Sequence, residues 1–371
     1  MPKIELGSLI EVYKALEIHT LSQIALIDAA ALANQYIPPF PPSVPALIAN
    51  LDTPELAMAI QKVLLAQYPA AHPIRLVWFD GSEEAAVEQL ILADLGQQPL
   101  IGSTIALYLP ELGESYAFEA FQNIIARLRS PGGCPWDQKQ THQSMRSDLL
   151  EEAYEVLAAL DANDPDAMRE EFGDLLLHII MQAQIASENG EFSMGDVVHG
   201  IYTKIVRRHP HVFGERAIAG EQDILANWEE MKAQERLENG QSEAGLLDSL
   251  NLALPALVQA QQFQARAARL KFDWPEISGV IDKVFEEIEE VRQAGSEAEL
   301  HAEIGDLLFA VVNLARWHKV DAESALRQGN QRFRQRFKYI EQAARAQGKQ
   351  VSDFSLDEMD QLWEDAKRNQ K

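Results

Sequence analysis

The sequence predicts a mainly α-helical protein in which a small α/β domain precedes two tandem all-α modules. Three observations lead to this prediction. The chain has 371 residues, more than one hydrophobic core usually organises. Near residue 115 short mixed segments give way to long helical patterns, and the helical part repeats itself. We therefore predict domains at residues 1–115, 116–240 and 241–371.

The amino-acid composition excludes several classes of function. Asp and Glu total 57 against 32 Lys and Arg, a net charge of −25. Such a field repels nucleic acid and anionic membranes but is compatible with divalent cations. The single cysteine, Cys134, excludes an internal disulfide and a cysteine-based zinc site. We find no leader and no apolar run of about 18 residues, so we expect a soluble cytoplasmic protein.

The first 115 residues contain both strand-like and helix-like sequence patterns. The hydrophobic pattern predicts buried strands at residues 74–79 and 104–109 and helices at residues 53–67 and 83–93. The proline cluster at 38–45 predicts an irregular loop. With 13 acids, 4 bases and few glycines, this domain offers no Gly-rich phosphate loop.

The helical part has clear boundary signals. Asp164 followed by Pro165 predicts an N-cap and a first-turn proline, and Asn189-Gly190 closes that helix. Gly295 ends a later helix, Ser296 can cap the next, and residues 236–248 read as a linker.

Four motifs occur twice in the same order. The offsets between the copies lie between 128 and 135 residues. A duplicated helical module explains this order and spacing. The paired motifs are EEAYEV (151–156) with EEIEEV (286–291), EFGDLL (171–176) with EIGDLL (303–308), KIVRR (204–208) with RFRQR (332–336), and WEEMK (228–232) with WEDAK (363–367).

Each repeat offers five carboxylates on two consecutive helices. Residues three or four apart share a helix face, as do Glu287 and Glu290. A solvated acidic face is the ordinary interpretation of such a pattern. The helices that follow are apolar around most of their circumference, which favours burial. We therefore expect four of these carboxylates in or near the core, where a divalent cation would relieve their repulsion. These four are Glu171, Asp174, Glu303 and Asp306.

The ligand type favours a hard cation. An all-oxygen set suits Mg²⁺, Mn²⁺ or Ca²⁺, and the Glu-x-x-His pairs of di-iron bundles are absent. Mg²⁺ binds a few carboxylates together with waters and phosphates, so a phosphate-bearing substrate is indicated. His178 lies on a similar face to Glu171 and is either a core histidine or a ligand.

Basic clusters recur at matching places. Lys204, Arg207 and Arg208 form one, and Arg332, Arg334 and Arg336 form the other. They are either solvated helix faces or phosphate clamps. Trp228 and Trp363 could stack on a base or anchor the core.

Several motifs together resemble the MazG family of nucleoside triphosphate pyrophosphohydrolases. They are EExxE followed by ExxD, GGCPWDQKQTH (132–142), RRHPHVFGE (207–215) and KFDW (271–274). The resemblance covers residues 116–371. It implies all-α modules that form four-helix bundles on dimerisation. It also implies Mg²⁺-dependent hydrolysis of NTPs and dNTPs to a monophosphate and pyrophosphate.

The resemblance assigns roles in the second module. Glu286, Glu287 and Glu290 would be catalytic carboxylates, with Glu286 positioning water or metal. Lys283, Arg332 and Arg336 would bind phosphates, and Trp363 would contact the nucleotide. The implied metal ligands are Glu287, Glu290, Glu303 and Asp306. An arginine stands at 332 where the family commonly has lysine.

The first module carries a matching set with one departure. Asp148 stands where the second module has Lys283, and its charge would repel a triphosphate. The resemblance is therefore to members whose second module performs the chemistry. The matching carboxylates are Glu151 and the implied metal ligands Glu152, Glu155, Glu171 and Asp174; the matching basic and aromatic residues are Lys204, Arg208 and Trp228.

The N-terminal segment resembles the second half of a tetrapyrrole-methylase-like domain. The stretches that carry this resemblance are 38–48, 59–73 and 103–112. The Gly-rich half that would hold S-adenosylmethionine is missing, so we expect an interaction or packing domain rather than a methyltransferase.

Two rivals to the enzyme stay open at this point. One is a nucleotide- or metal-sensing module that regulates a partner without turnover. The other is a structural role in which the carboxylates form interface salt bridges.

Overall fold

A computed structural model of the chain describes residues 6–18, 22–78, 85–98, 105–214, 220, 223, 231, 247–248 and 250–369. It confirms a mainly helical protein with a small sheet-containing N-terminal region. The chain divides into two compact units, residues 1–154 with 170–199 and residues 155–169 with 200–371. The domain limits at 115 and 240 remain predictions. Trp228 and most of the predicted linker at 236–248 lie outside the described residues.

The N-terminal region is built on a five-stranded sheet in the order β1-β2-β5-β3-β4. β1 and β2 are parallel, and the other neighbours are antiparallel. Helices flank the sheet, and apolar side chains such as Ile48, Ile60 and Leu107 are fully buried in its core. The elements of this region are α1 (Leu6–Ala15), β1 (Ala25–Asp28), α2 (Ala29–Ala33), β2 (Ala46–Ala49), α3 (Pro54–Leu64), β3 (Pro73–Trp78), β4 (Ala86–Ile91) and β5 (Ile105–Leu109).

One of the four predicted elements in this region is wrong. The strands at 74–79 and 104–109 and the helix at 53–67 are confirmed as β3, β5 and α3, and the proline cluster is a loop. The predicted helix at 83–93 is instead the edge strand β4 followed by a 3₁₀ turn at Leu92–Gln97. Pairing with β3 over six residues outweighs the helical preference of Ala, Glu, Gln and Leu there.

The boundary signals of the long helices are confirmed. The Asp164 side chain accepts hydrogen bonds from the backbone at 166 and 167, and Gly190 has a φ of 72° beyond the same helix. Ser296 caps the later helix through the amide of Glu299. The helices are α4 (Phe118–Arg129), α5 (Arg146–Ala162), α6 (Pro165–Glu188), α7 (Met194–Arg208), α8 (Pro210–Phe213), α9 (Ala256–Arg269), α10 (Ile277–Gln293), α11 (Glu297–Trp317), α12 (Ala322–Ala346) and α13 (Leu356–Asn369).

A tight turn after α4 brings the GGCPWD motif back onto that helix. A Cβ on Gly133 would lie 2.2 Å from the Leu128 carbonyl oxygen, so only glycine fits. The buried Arg129 donates to the carbonyls of Asp137 and Gln140 and pairs with Glu188 at 2.7 Å. This arginine therefore ties the motif to α6.

The expectation that α6 and α11 are buried all round is wrong for the single chain. Leu308 and Phe309 on α11 are 54% and 45% exposed, and Phe172 on α6 is 48% exposed. Asp306 is exposed, while Glu171, Asp174 and Glu303 are half-buried. In the second unit α9 and α10 pack on α11, which leaves part of its apolar surface uncovered.

Candidate active site

Three carboxylates of the second repeat converge. Glu287 and Glu290 lie one turn apart on α10, and Glu303 lies on the first half of α11. Each offers an oxygen within 4.8 Å of the others. Glu287 is buried, Glu303 is half-buried and Glu290 is exposed, so the cluster extends from the interior to solvent.

Lys283 partly neutralises this cluster. Its Nζ lies 2.8 Å from Glu286 Oε1 and 2.7 Å from Glu287 Oε1. Hydrogen bonds to Glu286 and then Glu287 raise the pKa of Lys283, so the ammonium stays charged. One turn of α10 therefore carries a fixed positive charge directly beside the buried carboxylate.

The other oxygen of Glu287 indicates a cation. Its Oε2 is buried and has no hydrogen-bond partner among the described residues. Such an atom is costly unless something positive contacts it. Partial desolvation and then the charge of Glu287 raise the pKa of Glu290, which shows that the carboxylates repel one another. The residues present therefore fit a divalent cation. Their oxygen donors favour a hard cation but do not select one.

Two other predicted carboxylates lie nearby. Asp306 follows Glu303 by three residues on α11 and lines a cavity of about 510 Å³, together with Lys283 and Glu287. Glu286 is exposed and contacts Lys283. Neither belongs to the group of three within 4.8 Å.

The KFDW motif contributes Phe272, Asp273 and Trp274 to the lining of this cavity. Asp273 Oδ1 accepts hydrogen bonds from Arg316 at 2.7 Å and Trp317 at 3.1 Å. Burial alone raises the pKa of Asp273, but these two donors outweigh it and hold the pKa below its usual range. The Trp274 ring packs where a Cβ on residue 279 would lie, so Gly279 is required.

The first repeat gathers carboxylates in a different environment. Glu152 and Glu171 each offer an oxygen within 4.8 Å of the other. Buried His178 has its Nε2 4.0 Å from Glu152 Oε1, while its Nδ1 lacks a partner among the described residues. His178 is therefore buried beside Glu152, and whether it is a core histidine or a ligand stays open. Asp148, the counterpart of Lys283, is exposed and accepts a hydrogen bond from Ser147.

The remaining carboxylates of the first repeat follow the helical periodicity. Glu151 and Glu155 lie on α5 beside Glu152, with Glu155 one turn further along the helix. Asp174 lies on α6, three residues after Glu171, and is half-buried.

The predicted basic and aromatic groups lie on other helices. Arg332 and Arg336 lie on α12, and the Arg336 guanidinium stands 5.5 Å from the centre of the Trp363 ring. Trp363 also packs on Phe333 and is not one of the residues that line the cavity. Lys204 and Arg208 lie on α7.

Three polar residues of the cavity wall, Gln264, Asn313 and Arg316, were not predicted from the sequence. None of them belongs to a repeated motif, so nothing distinguishes them before folding. Only the KFDW motif at 271–274 pointed to this wall.

Comparison with known proteins defines the family. The model of the MazG nucleotide pyrophosphohydrolase domain matches twice, at residues 140–213 and 276–340. The nucleoside triphosphate pyrophosphohydrolase/pyrophosphatase MazG of Thermotoga maritima is 41% identical over 250 residues, which cover 67% of this chain and 95% of that protein. The nucleoside triphosphate pyrophosphohydrolase of Escherichia coli K12 is 43% identical over 253 residues, with the same coverage.

A third relative extends the match toward the N-terminus. The protein YabN of Bacillus subtilis is 41% identical over 323 residues, which cover 85% of this chain. That share is larger than residues 116–371, so the similarity includes part of the N-terminal region. The chain spans 65% of the length of YabN.

The chain belongs to the MazG family of nucleotide pyrophosphohydrolases and contains two MazG modules in tandem. The family and the hydrolase class predicted from the motifs are thereby confirmed. The resemblance of the N-terminal region to a methylase half stays a prediction. In the part of the chain that the structure describes, no helix is both long and apolar enough to cross a membrane.

Proposed function

We propose that the second repeat hydrolyses nucleoside triphosphates, NTP or dNTP, to the monophosphate and pyrophosphate with Mg²⁺, or alternatively Mn²⁺, as cofactor. One observation carries the proposal. Glu287, Glu290 and Glu303 converge, and the buried Oε2 of Glu287 has no hydrogen-bond partner in the part of the chain that the structure describes. The names of the relatives, as nucleoside triphosphate pyrophosphohydrolases, support the reaction class.

The carboxylates divide into those that hold the cation and those that act around it. Glu287, Glu290 and Glu303 would hold it, with Asp306 at the cavity edge as a further ligand. A bound Mg²⁺ supplies charge neutralisation for the triphosphate and lowers the pKa of a coordinated water. The protein contributes a fixed set of acceptors, since Lys283 holds Glu286 and Glu287 in place.

The remaining groups position the attacking water and offset negative charge. Glu286 is exposed and contacts Lys283, so we assign to it the positioning of the attacking water or of the metal. The charged Lys283 faces the same space and can offset negative charge on the phosphates. Arg332, Arg336 and Trp363 remain proposed substrate contacts.

The first repeat is proposed to regulate or support the second. Its carboxylates Glu152, Glu155, Glu171 and Asp174 are proposed to bind a cation. With Asp148 in place of a lysine, this repeat lacks the cation that neutralises the second cluster. A sensing role without turnover is therefore favoured for this half.

We also propose a homodimer in the cytoplasm. The exposed apolar side chains of α11, such as Leu308 and Phe309, are what a second copy would cover. The location rests on the composition and on the single cysteine, Cys134.

The test is product analysis with a panel of NTPs and dNTPs, with and without Mg²⁺. We expect pyrophosphate and a monophosphate from the wild-type chain, and loss of turnover in Glu303→Gln. Glu289→Gln is the matched control, because Glu289 lies on α10 among the catalytic carboxylates but pairs with Arg292 at the surface. Release of orthophosphate, or full activity in Glu303→Gln, would refute the proposal.

A further inference from the structure

The carboxylates of the first repeat share a helix face with a buried histidine. On α6, His178 follows Asp174 by four residues and Glu171 by seven, so the three side chains lie on the same face of the helix. The His178 side chain is 8% exposed. Glu152 on α5 offers an oxygen within 4.8 Å of one from Glu171. A nitrogen donor therefore accompanies the oxygen donors of this repeat.

The distance from His178 to Glu152 suits two ligands of one metal ion better than a hydrogen bond. The Nε2 of His178 lies 4.0 Å from Glu152 Oε1, whereas N–H···O hydrogen bonds span about 2.7–3.2 Å. Two donors that each lie about 2.1 Å from a shared ion are roughly 3.0 Å apart at a right angle and roughly 4.2 Å apart when opposite. The observed separation lies within that interval. The two atoms can therefore bind one ion between them with little movement.

A second histidine of the same unit shows what a purely structural role requires. His142 places its Nδ1 against Gln182 Oε1 and its Nε2 3.3 Å from Glu191 Oε2. Both of its ring nitrogens thus have partners. His178 instead has a buried Nδ1 with no hydrogen-bond partner among the described residues, and its Nε2 is beyond hydrogen-bond distance from Glu152. Packing alone does not account for a buried imidazole in this state.

The donor set differs from that of the second repeat in a way that affects which ion binds. The convergent group of the second repeat consists of three glutamates, and Ala310 occupies the position that matches His178. All-oxygen sites suit Mg²⁺, whereas an imidazole nitrogen favours first-row transition ions such as Co²⁺ and Zn²⁺. Asp148 also replaces Lys283, so no ammonium at that position competes with a bound ion.

We propose that the first repeat binds a divalent transition ion through His178 Nε2, Glu152 and Glu171. The inference deepens the cation site proposed above for this repeat and rests on it. Asp174, on the same face of α6, is available as a further ligand. Because this ion lies outside the repeat that is proposed to hydrolyse the triphosphate, we assign it to structure or regulation and not to the reaction.

Calorimetric titration of the full chain with Co²⁺ and with Mg²⁺ tests the ligand set. A Glu287→Gln background weakens the second-repeat cluster, so that the first repeat dominates the signal. We expect Co²⁺ to bind at least about tenfold more tightly than Mg²⁺, and His178→Gln to remove that advantage by weakening Co²⁺ alone. Unchanged or tighter Co²⁺ binding in His178→Gln would overturn the inference, because that result is expected if the imidazole only neutralises Glu152.

Two further variants protect the test against a folding defect. His142→Gln is the matched control, because it removes a histidine that contacts a glutamate in the same unit, and we expect unchanged affinity for both ions. Glu152→Gln removes an oxygen donor and should weaken both ions. If Glu152→Gln binds Co²⁺ as the starting chain does, or if His142→Gln loses as much Co²⁺ affinity as His178→Gln, the assigned ligand set is wrong.

The proton NMR spectrum of the Co²⁺-bound chain identifies the imidazole directly. Co²⁺ is paramagnetic and shifts the ring protons of a coordinated histidine far outside their usual range. We expect such signals in the starting chain and in His142→Gln, and their loss in His178→Gln. The convergent group of the second repeat contributes none, because its three members are glutamates. Shifted imidazole signals that persist in His178→Gln would show that another histidine holds the ion and would refute the assignment.

The same titrations separate this inference from the proposed function. A first repeat that binds neither ion would refute the cation site proposed for it as well. Equal affinity for Co²⁺ and Mg²⁺, unaffected by His178→Gln, would refute only the role of His178 and the class of ion. Hydrolysis by the second repeat is measured by pyrophosphate release and depends on neither outcome.

Discussion

The two helical repeats carry the same carboxylate pattern in different surroundings. In the second repeat Lys283 binds the carboxylates and a cavity adjoins them. In the first repeat Asp148 occupies the lysine position, and His178 occupies the position of Ala310 beside the carboxylates. The motif sets where the carboxylates lie along their helices, and the side chains around them differ between the two repeats.

The difference is electrostatic. A cation stabilises a buried carboxylate such as Glu287: Lys283 contacts its Oε1, while its Oε2 has no hydrogen-bond partner among the described residues. At the position of Lys283 the first repeat has the negative charge of Asp148, which we expect to repel a triphosphate. The two repeats therefore share the carboxylate pattern but differ in charge at this one helical position.

The largest expected effect comes from removing one carboxylate in each repeat. We expect Glu287→Gln to lower kcat about 1,000-fold, because charge neutralisation worth several kcal/mol is lost. We expect Glu152→Gln to lower kcat at most about threefold. Steady-state pyrophosphate release measures both. Similar losses of kcat in the two variants would contradict the proposal that the second repeat performs the hydrolysis.

A charge exchange at the divergent position should have the next largest effect. Lys283→Met removes the cation beside Glu286 and Glu287, and we expect kcat/KM to fall about 100-fold. Asp148→Lys should strengthen nucleotide binding by the first repeat, which calorimetry can detect in a Glu287→Gln background. If Lys283→Met keeps the wild-type kcat/KM, the charge at this position does not explain the difference between the two repeats.

Two arginines hold the GGCPWD and KFDW motifs, and we expect their removal to have different effects. Arg129 anchors the GGCPWD turn of the first repeat, and Arg316 anchors Asp273 of the second. We expect Arg129→Met to lower the free energy of unfolding by about 2 kcal/mol with little effect on nucleotide affinity. Arg316→Met should lower both. Urea denaturation and calorimetry measure the two quantities.

An exposed arginine provides the control for this pair. Arg169 pairs with Asp166 where both side chains are at least 80% exposed, so Arg169→Met should change the free energy of unfolding by less than about 0.5 kcal/mol. A loss of nucleotide affinity in Arg129→Met would show that the first repeat takes part in binding.

The smallest expected effect is a pH dependence of the free energy of unfolding, which arises from a single ion pair in the first unit. The hydrogen bond from Arg129 lowers the pKa of Glu188 below its usual 4.5. A group with a lowered folded-state pKa stabilises the fold above its unfolded pKa, and this contribution is lost as the pH falls below 4.5 through the folded value. Solvent screening limits it to less than about 1 kcal/mol.

Acid titration of the unfolding transition tests this dependence. Arg129→Met should remove this part of the acid sensitivity, because the pKa of Glu188 then returns toward its usual value. An unchanged slope below pH 4.5 in the variant would exclude the Arg129–Glu188 pair as its source.

Hydrophobic periodicity and capping signals were sufficient to predict most helices of the helical part. The caps at Asp164 and Ser296 were predictable because each depends on residues within one helical turn. The edge strand β4 was not, because its backbone is fixed by pairing with β3, a partner that local propensity does not register. The exposure of Leu308 and Phe309 also escaped prediction, since apolar character alone does not say what covers a helix.

The sequence by itself determined the duplicated helical modules, the family and the helical faces that carry the carboxylates. These follow from spacing along the chain, which the α-helix converts directly into position. Only the tertiary structure decided that Lys283 binds Glu287 and that Glu287 Oε2 is buried without a hydrogen-bond partner among the described residues. Burial and the choice of partner depend on how helices pack, and desolvation acts only once that packing exists.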